Sequence, residues 1–379
     1  MDIIKRHFWL NLIKDSWKKR SIIWLSGVRR VGKTCLCKSL SNIEYFDCEL
    51  PRTRREMEDP EEFLESRKVK KIVIDEIHRL RNPSELLKIA ADHYSELKII
   101  ATGSSSLGAS SKFRDTLTGR KFEIWLAPLI TSDMQDFGII DIKQRLYRGG
   151  LPPFILSSDY PEREFQEWMD EFWAKDIQEL FRLERRFSFQ RFAELLFAQS
   201  GGIFEATRFA RPCEVSRTTI SNYLSVLELT FVVSVVRPFS SRKATEIVAA
   251  PKVYAFDTGF VCHFKGWTSL RNEDMGLLWE HYVLNEIQAK KQERRLRYWR
   301  DKRHHEVDFV WAKKGKSLTA IECKWSADHF EPSGIKAFRS IYKYGSNYVV
   351  AHDVKRSFRR TYKGFEVEFV NLEQLIKCL

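Results

Sequence analysis

Three sets of residues in this chain have the types and spacing for phosphate chemistry. Gly27 and Gly32 bracket a G-x-x-x-x-G-K-T run that ends in Lys33 and Thr34. Glycines at these places let backbone N–H groups close around an anion at a helix N-terminus. A lysine there neutralises the β- and γ-phosphates of a nucleotide, and the hydroxyl that follows reaches Mg²⁺. Gly27, Arg30, Val31, Gly32, Lys33, Thr34 and Cys35 are therefore the expected nucleotide contacts. The second set is Asp75-Glu76, closing the run KKIVIDE. Asp75 is expected to join the Mg²⁺ shell and Glu76 to orient or deprotonate the attacking water. The third set is Asp308, Glu322 and Lys324. Two such carboxylates can hold Mg²⁺ while the lysine positions or activates a water that attacks phosphate.

Positioning these groups requires particular elements. The apolar run 22–25 reads as a strand, and Cys35, Leu36 and Leu40 have the spacing of the helix after the loop. Residues 43–47 read as a second strand, and the acidic stretch 51–65 as loop. Residues 72–74 form a buried parallel strand that delivers Asp75 and Glu76 at its end. A further strand, 97–101, ends in Thr102-Gly103-Ser104-Ser105. A helix over 111–118 then leads through Gly119-Arg120 into strand 122–126, stopped by Pro128.

Residues 132–137 and 159–186 show helical periodicity, with Phe165, Trp168, Met169, Phe172, Trp173 and Ile177 at three- and four-residue steps. The turn-forming YRGGLPPFI, 147–155, separates them. Helices are expected at 189–199, 204–210 and 216–228. The last has the form of a recognition helix, with Ser216 as cap and Ile220, Leu224 and Leu227 facing inward. Strands 231–236 and 252–256 with the basic loop 240–243 would complete a winged helix, with Arg217 and Arg242 as phosphate contacts. A helix carrying Glu280 and Glu286 precedes a basic run, 290–303. Strands 306–311 and 318–326 follow, joined by a basic turn at 313–316. Alternation puts Glu306 and Asp308 on one face, as it does Glu322 and Lys324. His304 and His305, if on a strand, point to opposite faces and cannot share a metal.

With 379 residues, 43% of them hydrophobic and 30% charged, the chain has ample material for two or three cored domains. Its formal net charge of +13 favours a polyanionic partner, nucleic acid before membrane. The apolar run 231–236 is far too short to cross a bilayer. The basic amphipathic N-terminal segment, with Phe8, Trp9, Leu12 and Ile13 on its apolar side, is expected to pack on the nucleotide-binding core. Seven scattered cysteines support neither a disulfide framework nor a zinc site. A reduced, cytoplasmic protein is the expectation.

The order of parts resembles an AAA+ ATPase: P-loop, acidic pair, polar strand end, then an arginine before the fifth strand. The resemblance implies ATP and Mg²⁺ as cofactors, Ser104 or Thr102 as sensor, and Arg120, with Arg114 second, as an arginine finger reaching a neighbouring subunit. It thereby implies a homo-oligomer, of which a ring is one form. It also implies a helical lid, with Arg148 as a candidate sensor. Gly119-Arg120, Pro128-Leu129 and Gly149-Gly150-x-Pro152 narrow the resemblance to prokaryotic ATP-binding proteins with an N-terminal AAA+ module and a C-terminal domain of unknown function. The carboxylate strands, reading E-V-D-F and I-E-x-K-x-S, resemble the core of the PD-(D/E)-x-K nuclease fold, with Val307 in place of the proline. Glu280 then matches the extra acidic residue that some members of that superfamily carry.

The expected architecture is α/β: an AAA+ P-loop core over 1–131, a helical lid over 132–186, a winged helix over 187–265 and a nuclease-like α/β domain over 266–379. The function this implies is an oligomeric, ATP-hydrolysing motor or remodeller acting on DNA. Two alternatives stand beside it. One is a regulatory NTPase whose nucleotide state controls assembly or docking; the other is an ATP-gated, metal-dependent nuclease.

Overall fold

A computed structural model describes residues 3–103, 116–178, 181, 183, 185–241, 250–312 and 317–379. The chain sorts into two compact units, the first comprising 1–142, 150–186 and 225–232 and the second 143–149, 187–224 and 233–379.

The first unit is built on five parallel strands: β1 (Ile22–Ser26), β2 (Glu44–Asp47), β3 (Lys71–Asp75), β4 (Lys98–Thr102) and β5 (Lys121–Trp125). Their order is β2-β3-β4-β1-β5, so β4 lies between the strand feeding the glycine loop and the strand carrying Asp75. The runs read as strands at 22–25, 43–47, 72–74, 97–101 and 122–126 are these strands, and that at 72–74 is buried and parallel as expected; Ile22, Ile72, Ile74 and Ile99 are fully buried. With Trp24 and Ala101 they pack against Phe63, Leu86, Leu87 and Ala90. Each such large apolar side chain contributes roughly 1.5–3 kcal/mol on burial. Residues 51–65 are not loop. They form two short helices, Pro51–Glu56 and Pro60–Glu65, each with proline in its first turn, and Asp59 caps the second by accepting from the N–H groups of Glu61 and Glu62. Trp9 and Ile13 of the N-terminal helix His7–Trp17 are fully buried. The helix Glu162–Glu171 runs directly into a π-helical segment, Phe172–Gln178.

The second unit carries an eight-stranded sheet. Its strands are β6 (Val233–Pro238), β7 (Lys252–Ala255), β8 (Arg297–Arg300), β9 (Glu306–Trp311), β10 (Thr319–Lys324), β11 (Asn347–Ala351), β12 (Phe358–Tyr362) and β13 (Phe365–Val370). The order is β12-β13-β11-β10-β9-β8-β6-β7. Helix Asn272–Lys291, the antiparallel run β8-β9-β10, helix Ser333–Ile341 and β11, parallel to β10, follow one another in the chain. Helices Arg186–Ala198, Ala206–Ala210 and Arg217–Leu229 lie where the periodicity placed them, and Ser216 Oγ accepts from Thr219 N at 3.1 Å. The antiparallel hairpin of β6 and β7 continues into β8, so one sheet spans the stretches 187–265 and 266–379. His304 and His305 precede β9 rather than lying in it. Their partners differ: His304 Nδ1 lies 2.8 Å from the Arg300 guanidinium, and His305 Nδ1 lies 2.8 Å from Asp301.

Among the described residues no helix is long and apolar enough to cross a membrane. All seven cysteines are free thiols.

Candidate functional site

In the first unit, loops leaving the carboxyl ends of β1, β3 and β4 surround a cavity of about 550 Å³. Gly27, Arg30, Val31, Gly32, Lys33, Thr34, Cys35 and Glu76, expected from the sequence to act together, all line it. Gly27 is needed there: a Cβ would sit 2.6 Å from the Leu126 carbonyl oxygen. Lys33 Nζ folds back over the loop and donates to the carbonyls of Gly27 at 2.8 Å and Val28 at 3.2 Å. Burial pushes the Lys33 ammonium below its ordinary value, against the opposing pull of Glu76, Asp176 and Asp75.

Asp75, at the end of β3, is the hub of a hydrogen-bond network. It accepts from Thr34 Oγ1 at 2.8 Å and from the hydroxyls of Tyr45 and Thr102. Thr102 ends β4, so the inserted strand is what brings this hydroxyl to the carboxylate. Thr34 and Asp75 thus present converging hard oxygen donors, which suits Mg²⁺, an ion that takes one or two protein oxygens and completes its shell with water and phosphate. These two residues would hold it, and the ion would supply charge neutralisation between the phosphates.

Glu76 adopts a left-handed backbone conformation, φ 52°, which turns its side chain out of the strand direction. Such a conformation costs on the order of 1 kcal/mol in a non-glycine residue and is concentrated at functional sites. Its carboxylate lies 3.2 Å from His78 Nδ1. Burial alone would raise Glu76, but the hydrogen bond with His78 and the charges of Lys33 and Arg29 outweigh it and hold the group below the ordinary glutamate range. An ionised carboxylate beside the phosphate loop is what a water-orienting base requires.

Several contributors carry no sequence signal of their own. Arg6 is 3% exposed and forks onto Asp133, Nε to Oδ1 at 3.0 Å, while donating to the Val31 carbonyl at 3.0 Å, which pins the loop from below. Helix Glu162–Glu171 and its π-helical continuation bring Glu171 to Arg30, 2.7 Å, and Asp176 to Arg29, 3.0 Å. Trp168 Nε1 donates to the Arg29 carbonyl at 3.1 Å. A π-helical stretch changes the direction of side chains beyond it and is often found at functional sites. The pattern of aromatic residues revealed the helix but not the carboxylates on its other side.

Other expected residues lie elsewhere. Arg120 is not among the cavity's lining residues; its guanidinium makes a two-pronged contact with Asp92, 2.7 and 3.1 Å. Arg148 ends helix Ile142–Arg148 and likewise does not line the cavity. Ser104, Arg114, Arg242 and the turn at 313–316 lie outside the described residues.

In the second unit Glu280, Asp308, Glu322 and Lys324 act electrostatically on one another. Lys324 Nζ lies 3.2 Å from Glu322 Oε2, and Asp308 Oδ2 accepts from the Cys323 N–H at 2.7 Å. Helix Ser333–Ile341 approaches so closely that a Cβ on Gly334 would lie 2.1 Å from the Glu306 carbonyl oxygen. Burial, then the charge of Asp308, pushes Glu280 up to about 7 and Glu322 well above the usual range. Lys252, from β7, enters the same cluster.

Against this geometry, residues 19–134 match the model of the AAA domain. Residues 19–134 thus carry a P-loop AAA domain. Residues 139–271 and 275–374 match two domains of unknown function, DUF8612 and DUF4143. The uncharacterized proteins Mb2031c of Mycobacterium bovis and Rv2008c of Mycobacterium tuberculosis are each 26% identical over 314 residues, covering 80% of this chain and 70% of theirs. Among solved structures, AMPPCP-bound DnaA from Aquifex aeolicus aligns at 13% identity and TM-score 0.30, over 59% of this chain and 88% of its own. A DNA polymerase III gamma subunit-related protein of Thermotoga maritima aligns at 10% and 0.25, over 59% and 97%. These two alignments are too shallow to bear on function; the AAA+ assignment rests on the domain match and the phosphate-loop geometry.

Proposed function

We propose that this AAA+ domain hydrolyses ATP and that the cycle drives DNA-handling modules in the rest of the chain. The observation that carries the hydrolytic part is the joining of Lys33, Thr34 and Glu76 at one cavity, with the buried Asp75 carboxylate accepting from Thr34 Oγ1 at 2.8 Å. Lys33 binds phosphate, Asp75 and Thr34 hold the cation site, and Glu76 orients water. Lys33→Ala abolishes nucleotide binding. Glu76→Gln keeps binding and lowers turnover about 10²–10⁴-fold, the span of a general base; unchanged turnover in that variant removes Glu76 from the mechanism.

DNA as partner is supported by the net charge of +13, by the three helices and hairpin of 186–255, which fit a winged helix, and by the order helix, β8, β9, β10, helix, β11, which fits a PD-(D/E)-x-K-like fold. Arg217 is exposed at the start of its helix and serves as a phosphate contact, so Arg217→Ala lowers the salt slope of DNA binding by about one. Arg120 acts across a subunit interface. Mixing Arg120→Ala with Lys33→Ala chains therefore restores part of the ATPase rate, and a mixed oligomer without any recovery counts against that role.

A further inference from the structure

The acidic cluster of the second unit is already occupied by a cation of the chain itself. Lys252 is 6% exposed, and its ammonium reaches Glu280 Oε1 at 3.3 Å and touches Glu306. Glu280 Oε1 also accepts from the Tyr254 hydroxyl at 2.5 Å. Asp308 spends one oxygen on the Cys323 N–H, and Glu322 is paired with Lys324. Arg300 stands 3.8 Å from the other oxygen of Glu306. Four carboxylates thus face three fixed cations and two further N–H or O–H donors.

A divalent metal needs the opposite: ionised carboxylates whose oxygens point together at one empty position. Among the described residues no three His, Cys, Asp or Glu side chains converge in that way. The donor set therefore does not fit Mg²⁺. Burial disfavours the Lys252 ammonium, but Glu280, Asp308 and Glu306 together hold it charged well beyond the ordinary lysine range. The lysine reaches the cluster because β7 is hydrogen-bonded into the same sheet as β9.

We propose that Lys252 is a resident cation of this cluster, paired with Glu280 and Glu306 beside Asp308, so that the domain keeps a nuclease-like core without metal-dependent cleavage. The proposal is independent of the ATPase reading and rests on the nuclease-like reading of this fold; the Mn²⁺ titration reports only what cation the cluster takes, so it can fail separately from that reading.

The test is Mn²⁺ titration of nucleotide-free protein by calorimetry and by melting temperature, with Asp308→Asn as the marker for this site. Wild type takes up no Mn²⁺ that Asp308→Asn removes, and its melting temperature does not move through this site. Lys252→Met loses the internal cation, melts lower than wild type, gains one Mn²⁺ site, and recovers several degrees when Mn²⁺ is added; the double variant with Asp308→Asn gains nothing. Wild-type Mn²⁺ binding, or Mg²⁺- or Mn²⁺-dependent cleavage of an oligonucleotide, lost on Asp308→Asn overturns the proposal. So does a folded Lys252→Met that gains no site. Should Lys252→Met not fold, Lys252→Gln replaces it, and the wild-type measurements decide in either case.

Discussion

Arg29 Nε lies 3.0 Å from Asp176 Oδ2, joining the phosphate loop to the π-helical segment at 172–178. Asp176 lines the nucleotide cavity and acts electrostatically on Lys33 and Glu76. Burial raises Asp176 above the ordinary carboxylate range, only partly offset by Arg29. A triphosphate entering the cavity meets this carboxylate as a like charge and competes with it for Arg29. Removing about 1 kcal/mol of repulsion at such a site tightens binding about fivefold.

Asp176→Asn is therefore expected to lower the Kd for a fluorescent ATP analogue about three- to tenfold. In wild type the affinity gains an extra component as pH falls through the raised Asp176 pKa, because the group loses its charge there. The variant, neutral throughout, lacks that component. Equal affinities, or weaker binding by Asp176→Asn, would show that the carboxylate assists the nucleotide rather than opposing it.

The second expectation concerns Arg6. Its pair with Asp133 is buried, at 2.6 Å, and two of its N–H groups also satisfy the Val31 and Ala127 carbonyls. Removing one partner of a buried ion pair strands the other charge and typically costs about 3–5 kcal/mol. Arg6→Ala should lower the unfolding free energy by about that amount in a urea titration and weaken nucleotide binding, since the loop loses its support at Val31. A loss under about 1 kcal/mol would mean that solvent replaces the guanidinium and that the pair does not pin the loop.

A pH dependence follows from Glu280. Its ordinary value near 4.5 rises to about 7 in the folded chain, and Glu322 moves the same way. Between those two values the native state holds a proton that the unfolded chain has lost. Stability is thus highest below about pH 4.5 as far as this group is concerned, falls as pH rises through the window, and levels off above about 7. Denaturation midpoints measured across that window should fall in wild type and fall less steeply in Glu280→Gln. A wild-type profile that Glu280→Gln leaves unchanged contradicts the raised value.

Much of this arrangement is legible in the chain because it rests on local rules. Glycines around an anion, apolar runs ending in Asp75-Glu76, and the Ser216 cap each act over a few residues and reappear at the expected positions. The stretch 51–65 was obscured by its charge, since the helix-starting signals there are two prolines and Asp59 rather than apolar periodicity. Tyr45, Arg6, Asp176 and Lys252 were not legible as site residues. Each meets its partner only through tertiary structure, the Lys252 to Glu280 contact spanning 28 residues and the Arg29 to Asp176 contact 147. No spacing rule connects positions so far apart. Lys252 in particular reads as an ordinary strand residue until β7 is seen to join the sheet of β9.

The most direct test of the whole account is the ATPase rate of the purified chain in one salt condition with no DNA, with duplex, with a fork and with a four-way junction, alongside retention of each DNA at low ionic strength. The account predicts that at least one DNA is retained and raises turnover, and that Lys33→Ala abolishes turnover with all of them. An equal rate with every DNA offered, and retention of none, would contradict it.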